Sequence, residues 1–238
     1  MNGYDDTILL ENVLTADDIN WLFSIKEQLR NDPESHKPRM VKDGRANNVY
    51  NMTDKTVFRD EQMYEWIAKF LPFDPEEYEF YGVNFYDLQV PYALHTDTSP
   101  TSFYQGIIPM SIEPKVVDTH TVIFDQTAEE NVEWIAPAYN KPDDYKPFYN
   151  KGIRDPNYFG GWSDEYKISD EALKRHWVDH WDFWKEAYKG FSIKCEYKWN
   201  IGDIFIFDSK FAHCATNLKQ KGITQKTGLL FILNRRVS

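Results

Sequence analysis

Apolar positions along the chain recur first at helical and then at strand spacing. After a short apolar run, Thr7-Ile8-Leu9-Leu10, Thr15 precedes Asp17 and Asp18, and Ile19, Leu22, Phe23 and Leu29 follow at turns of a helix. A capping threonine, acids in the first turn and this period predict a helix that packs on a sheet. A second helix is predicted over 58–71, with Met63, Trp66, Ile67 and Phe70 as its buried stripe and Pro72 as its stop. Residues 31–55 are polar and punctuated by Pro33, Pro38, Gly44 and Asn47-Asn48. They read as an irregular solvated loop carrying His36, Arg39 and Arg45, with a substrate-facing rim as the alternative.

Strand-like segments dominate afterwards, at 79–86, 93–97, 102–108, 116–124, 132–136, 191–199, 204–207, 211–217 and 227–233. Residues 136–190 break the rhythm. Their first part is rich in Pro, Gly, Tyr and Asp and reads as an ordered loop held by aromatic packing. A helix follows, capped by Ser169 and closed by Gly190, with Leu173, Trp177, Trp181, Trp184 and Tyr188 in one stripe. That stripe either docks the helix on the sheet or closes over a site as a lid. His176 and His180 lie one turn apart but lack the glutamate of a His-Glu-x-x-His arrangement, so no metal is expected there. His120 reads as a strand histidine with a local hydrogen bond, with a pocket residue as the alternative.

Length and charge narrow the function classes. A chain of 238 residues can bury one full core, and a β-rich domain of this size is commonly single. The formal net charge of −11 argues against a general nucleic-acid or anionic-membrane surface, which needs clustered Lys and Arg. Cys195 and Cys214 form neither a C-x-x-C pair nor a zinc spacing, so free thiols in a reducing compartment are expected. Cys214 should face away from its neighbour His213. Residues 1–6 lack a basic region followed by an apolar run, and no stretch is apolar enough to span a bilayer. A cytoplasmic location is therefore expected, and nothing in the sequence fixes an oligomeric state.

The chemistry concentrates at His95-Thr96-Asp97 and at His213. In an extended strand, side chains alternate, so His95 and Asp97 share one side while Thr96 points away. Two imidazoles and a carboxylate can occupy one face of an octahedral ferrous ion and leave the opposite face open. Gly202-Asp203 reads as a tight turn opening an apolar strand, Ile204 to Phe207, and Asp208-Ser209-Lys210 breaks that strand before Phe211-Ala212-His213.

The run from Phe85-Tyr86 through Tyr92-Ala93-Leu94-His95-Thr96-Asp97, with Gly202-Asp203 to His213 and a late basic strand, resembles the Fe(II)- and 2-oxoglutarate-dependent dioxygenases. The prolyl-hydroxylase-like and phytanoyl-CoA-dioxygenase-like branches are the nearest in pattern, over 78–235. The resemblance implies a mainly β fold with flanking helices, a cupin-like double-stranded β-helix (jelly roll), with the metal in its mouth. It implies one domain over 1–238: an N-terminal helical support region at 1–77, a jelly-roll core at 78–135 and 191–238, and the 136–190 insertion. It further implies Fe(II) held by His95, Asp97 and His213, 2-oxoglutarate as cosubstrate, and O₂. An aspartate at position 97 favours hydroxylation, since related halogenases carry Gly or Ala there.

Members of this family hold the distal carboxylate of 2-oxoglutarate with a cation entering the last core strand. Lys226, immediately before Thr227-Gly228-Leu229-Leu230, is the expected counterpart, sharing the parity of Gly228, Leu230 and Ile232. Arg235 would sit at the wrong end of that strand. Tyr86 and Tyr92 match positions that often lie near the cosubstrate. A small molecule or a peptidyl group remains open as the substrate. Two other classes stay open as well: a cupin-like metalloenzyme that does not use 2-oxoglutarate, and a non-catalytic jelly roll that binds a small polar ligand.

Overall fold

The computed structural model describes residues 5–40, 46–51, 60–89, 94–96, 102–115, 118–128, 159–160, 165–177, 188–216, 218 and 221–236. In chain order the elements are β1 (Thr7–Leu10), α1 (Ala16–Arg30), β2 (His36–Met40), β3 (Ala46–Asn51), α2 (Asp60–Ala68), β4 (Tyr78–Leu88), β5 (Ser102–Glu113), β6 (His120–Ala128), β7 (Phe159–Gly160), α3 (Asp170–Trp177), β8 (Ile193–Lys198), β9 (Ile204–Asp208), β10 (Phe211–Ala215) and β11 (Gln225–Arg235). Seven strands form one sheet in the order β1-β9-β5-β11-β4-β3-β2, and a four-stranded sheet places β6 between β10 on one side and β7 and β8 on the other. All the pairings are antiparallel.

Alternation along the strands sorts the side chains into three apolar layers. Val83, Phe85, Ile108, Ile206, Leu229 and Phe231 face α1 and α2, meeting Leu22, Ile25, Leu29, Met63 and Ile67. Between the two sheets lie Tyr86, Leu88, Ile107, Ile123, Tyr197, Trp199, Phe205, Phe207 and Phe211. On the far face of the smaller sheet, Val122, Phe124, Ala212 and Cys214 pack on Leu173, Tyr188 and Phe191. The α1 start is built as its sequence requires. Thr15 Oγ1 accepts from the Asp18 amide at 3.2 Å, and the Asp18 carboxylate accepts from the Thr15 amide at 2.8 Å.

Close approach of elements depends on missing side chains in two places. A Cβ on Gly106 would stand 2.0 Å from Phe231 Cζ, so only glycine lets the Phe231 ring cross β5. Gly202, with φ +101°, makes the turn before β9; the Asp203 carboxylate accepts from the Asn12 amide at 2.8 Å, and Gly202 O accepts from the Leu14 amide at 2.9 Å.

The 31–55 segment departs from the solvated loop its composition suggested. β2 and β3 pair from His36↔Tyr50 to Met40↔Ala46, and β3 pairs with β4. The pair lies at the margin of the larger sheet, where β2 is the edge strand and Pro38 is tolerated. His36 there stacks on Tyr50 at 5.0 Å and shares a hydrogen bond of 3.1 Å with Asn48. The Arg39 side chain and Arg45 lie outside the described residues. The first 77 residues thus add three strands to the sheet as well as two helices. In the insertion, α3 begins at Asp170 with the Ala172 amide bonded to Ser169 Oγ at 3.1 Å, Gly190 has φ +86°, and Leu173 and Tyr188 are buried. The side chains of Trp177, Trp181 and Trp184 lie outside the described residues, as does the strand expected at 132–136. No helix among the described residues is long and apolar enough to cross a membrane.

Candidate metal and cosubstrate site

His95 and His213 meet across a single rung of backbone pairing. The His95 amide donates to His213 O at 3.0 Å and the His213 amide to His95 O at 2.8 Å, and the ring centroids stand 4.2 Å apart. β10 carries a register shift between Phe211 and His213, a bulge of the kind that re-aims a side chain. His213 Nδ1 lies 3.0 Å from Phe211 O. A carbonyl only accepts, so Nδ1 carries the proton, and in the neutral ring Nε2 keeps its lone pair. That is the tautomer a metal-ligating imidazole needs, oriented by a backbone carbonyl. The edge of Phe207 closes one side of the His213 ring at 4.9 Å.

Asp97 and Tyr92 lie outside the described residues, so the structure brings together two of the three expected ligands. Asp97 follows His95 by two positions, the same-side spacing of an extended chain. His213 and Cys214 point to opposite faces: His213 meets Phe207 between the sheets, while Cys214 packs with Val122, Phe124 and Tyr188. Burial pushes the Cys214 thiol up to about 12.

Lys226 is buried, and its Nζ stands 3.6 Å from the centre of the Trp199 ring. Desolvation pulls its pKa from the usual 10.5 to about 7. Tyr86 reaches the same place. A Cβ at Gly228 would lie 2.8 Å from Tyr86 Oη and 2.9 Å from Trp199 Cη2, so the bare backbone of β11 is what admits both rings beside Lys226. Trp199 Nε1 and Tyr197 Oη are buried without a hydrogen-bond partner among the described residues. Arg235 is exposed at the far end of β11, over Phe103 at 4.9 Å.

Two features were not anticipated from the sequence. Gln105, fully buried on β5, places Nε2 3.2 Å from His213 Nε2 while its Oε1 has no partner among the described residues. Its only sequence signal is a lone amide in a strand of aromatic and aliphatic residues. On the opposite face of the larger sheet, Asp87 accepts from Lys26 at 2.7 Å, Thr227 Oγ1 at 2.6 Å and Tyr50 Oη at 3.1 Å, a buried knot that ties α1, β3, β4 and β11 together. His176 and His120 form a separate group under α3, with ring centroids 5.5 Å apart, where Arg175 and His176 both reach Glu196. Among the described residues no three potential ligands cluster around a metal-sized space.

No family model matches the chain, and no curated protein matches it in sequence. Among solved structures, it is similar to the non-heme alpha ketoglutarate dependent carbocyclase SnoK from nogalamycin biosynthesis, at 10% identity over 95% of this chain and 80% of that one, with a TM-score of 0.51. An oxidoreductase of the 2OG-Fe(II) oxygenase family from Burkholderia pseudomallei matches at 9% identity over 97% of this chain and 86% of that one, with a TM-score of 0.48. A Pseudomonas putida prolyl-4-hydroxylase matches at 12% identity over 98% and 94%, also with a TM-score of 0.48. With its two antiparallel sheets facing across an aromatic interior, the chain has the double-stranded β-helix fold found in the 2-oxoglutarate- and iron-dependent oxygenases.

Proposed function

We propose that this protein is a non-haem Fe(II)- and 2-oxoglutarate-dependent oxygenase that hydroxylates a C–H bond of a small molecule or peptidyl group. The observation that carries the reading is Lys226: a buried cation without a carboxylate partner among the described residues, bordering the same intersheet space as His213. Burying an unpaired charge costs several kcal/mol, roughly, so such a lysine is best accounted for by an anion that binds beside it. The other buried lysine among the described residues, Lys26, has its own carboxylate in Asp87. The donor set beside Phe207 fits iron, because the neutral His213 ring with its proton on Nδ1 would offer Nε2 to a metal with His95 beside it.

His95, His213 and Asp97 would hold the iron, and Lys226 the distal carboxylate of 2-oxoglutarate. Tyr86, whose hydroxyl lies beside Gly228, would add a hydrogen bond to that carboxylate, and Tyr92 is assigned a neighbouring role. Iron and 2-oxoglutarate together supply the oxidising chemistry, one atom of O₂ passing into succinate with loss of CO₂ and the other into the substrate. The protein's part is to orient both ends of the cosubstrate and keep water out. Phe205, Phe207, Phe211 and Tyr197, packed between the sheets, supply the apolar surroundings that would do so. Residues 136–190 would complete the enclosure as a lid.

The test is succinate formation by the purified chain with Fe(II), 2-oxoglutarate and O₂ across a panel of amino acids, peptides, acyl compounds and small natural products. Turnover that requires both iron and 2-oxoglutarate is expected. Metal binding with no 2-oxoglutarate binding or consumption would replace this reading by the cupin-like one, and no metal binding at all by a ligand-binding jelly roll.

A further inference from the structure

The His213 nitrogen that would face a metal already has a partner inside the protein. In the neutral ring, with the proton on Nδ1 directed at Phe211 O, Nε2 can only accept, and the Gln105 carboxamide offers it an N–H at 3.2 Å. That arrangement fixes the orientation of the amide: turned the other way, it would set an oxygen lone pair against a nitrogen lone pair. It also leaves Gln105 Oε1 with no hydrogen bond among the described residues, in a side chain wholly inaccessible to solvent. A buried acceptor without a donor is unfavourable, so the carboxamide is satisfied at one end only.

We propose that Gln105 is a positioning residue that competes with the metal for His213 Nε2, setting metal affinity and then turning its carboxamide to a hydrogen-bond donor in the ligand positions beside His213. The inference rests on the metal site proposed above. One lone pair cannot serve both an N–H and a metal ion, so metal binding must break the Gln105 hydrogen bond. Rotation of the carboxamide then gives Oε1 the O–H or N–H donor it lacks. Gln105 sits on β5, opposite Phe207 of β9 and Ile232 of β11, so the backbone holding it is fixed from both sides while its side chain turns. The same group would therefore favour, next to the metal, a ligand or substrate that carries a donor.

The experiment is titration of the full chain, freed of metal by chelation, with Ni(II) alone, followed by calorimetry for wild type, Gln105→Met, Gln105→Leu and His213→Ala. Both Gln105 variants should bind Ni(II) about three- to tenfold more tightly, the equivalent of one neutral hydrogen bond no longer to be broken. His213→Ala should bind far more weakly. Unchanged or weaker binding in the Gln105 variants, with binding lost in His213→Ala, overturns the role of Gln105 and leaves the metal site standing. Wild-type affinity in His213→Ala overturns both. A second measurement needs no variant: in nitrogen-15 NMR of the wild type titrated with Zn(II), the Gln105 side-chain NH₂ signals should move in step with His213 Nε2. Gln105 signals that stay still while His213 shifts would overturn the proposal.

Discussion

Lys226 holds its ammonium over the face of Trp199, 3.6 Å from the ring centre, and that contact takes the place of a counter-ion. A cation–π contact offsets part of the desolvation but leaves the charge able to recruit an anion. Lys226→Met should therefore weaken 2-oxoglutarate binding about tenfold to a hundredfold, for the loss of a charge-assisted hydrogen bond of about 1.5–3 kcal/mol. Metal affinity should hardly move. Arg235→Ala, at the other end of β11, should leave 2-oxoglutarate binding as it is; calorimetric titration of both variants separates the two assignments.

The same lysine sets a pH dependence. Its pKa falls from 10.5 in the unfolded chain to about 7 in the folded one, so between those values the unfolded state binds the extra proton. Stability should thus rise with pH across that window, the full penalty being present below about 7 and relieved as pH approaches 10.5. Urea unfolding of wild type against Lys226→Met at several pH values reads the difference, and a flat difference would contradict it. Binding runs the opposite way. An anion needs the charged form, so 2-oxoglutarate affinity should fall as pH rises above about 7, while Lys226→Arg, charged throughout, should show no such fall.

His95→Ala and His213→Ala each remove an imidazole from the pair proposed to hold the metal. Each should lower divalent-metal affinity and turnover by orders of magnitude while far-UV circular dichroism stays native. Full succinate formation by His213→Ala would disprove the site.

Asp87→Ala would strand Lys26, which is buried and bonded to Asp87 at 2.7 Å. Removing one partner of a buried pair costs about 3–5 kcal/mol, whereas the double replacement Lys26→Met with Asp87→Leu should cost far less. Chemical denaturation of the three variants gives the comparison.

Gly106→Ala should destabilise by about 1–3 kcal/mol or more, since its Cβ would intrude on the Phe231 ring at 2.0 Å. Adding Phe231→Leu should recover part of the loss, as read from thermal unfolding.

How much was legible in the sequence varies with what each residue depends on. His95 and His213 stood out by residue type and by the motifs around them, and the fold sets their rings side by side; the side of β11 that carries Lys226 follows from strand parity. Residues 36–51 did not read as strands. Their pairing comes from a neighbour, β4, and an edge hairpin with a polar face shows none of the apolar alternation that marks a strand. Gln105 was invisible for another reason: its partner, His213, is distant in the chain, and only the closed fold sets the two side by side. The Asp87 knot was equally hidden, because Lys26, Tyr50 and Thr227 come from three separate elements.

The rung that joins His95 to His213 consists of two short backbone hydrogen bonds between the 94–96 segment and β10. An ion bound by both rings would add a second link across the same rung, acting as a rivet between a peripheral segment and a strand of the sheet. Local opening at that place would then require the ion to leave first, so protection of the His95 and His213 amides from hydrogen exchange should grow with metal concentration. The metal's grip on the chain would be measurable there without any turnover at all.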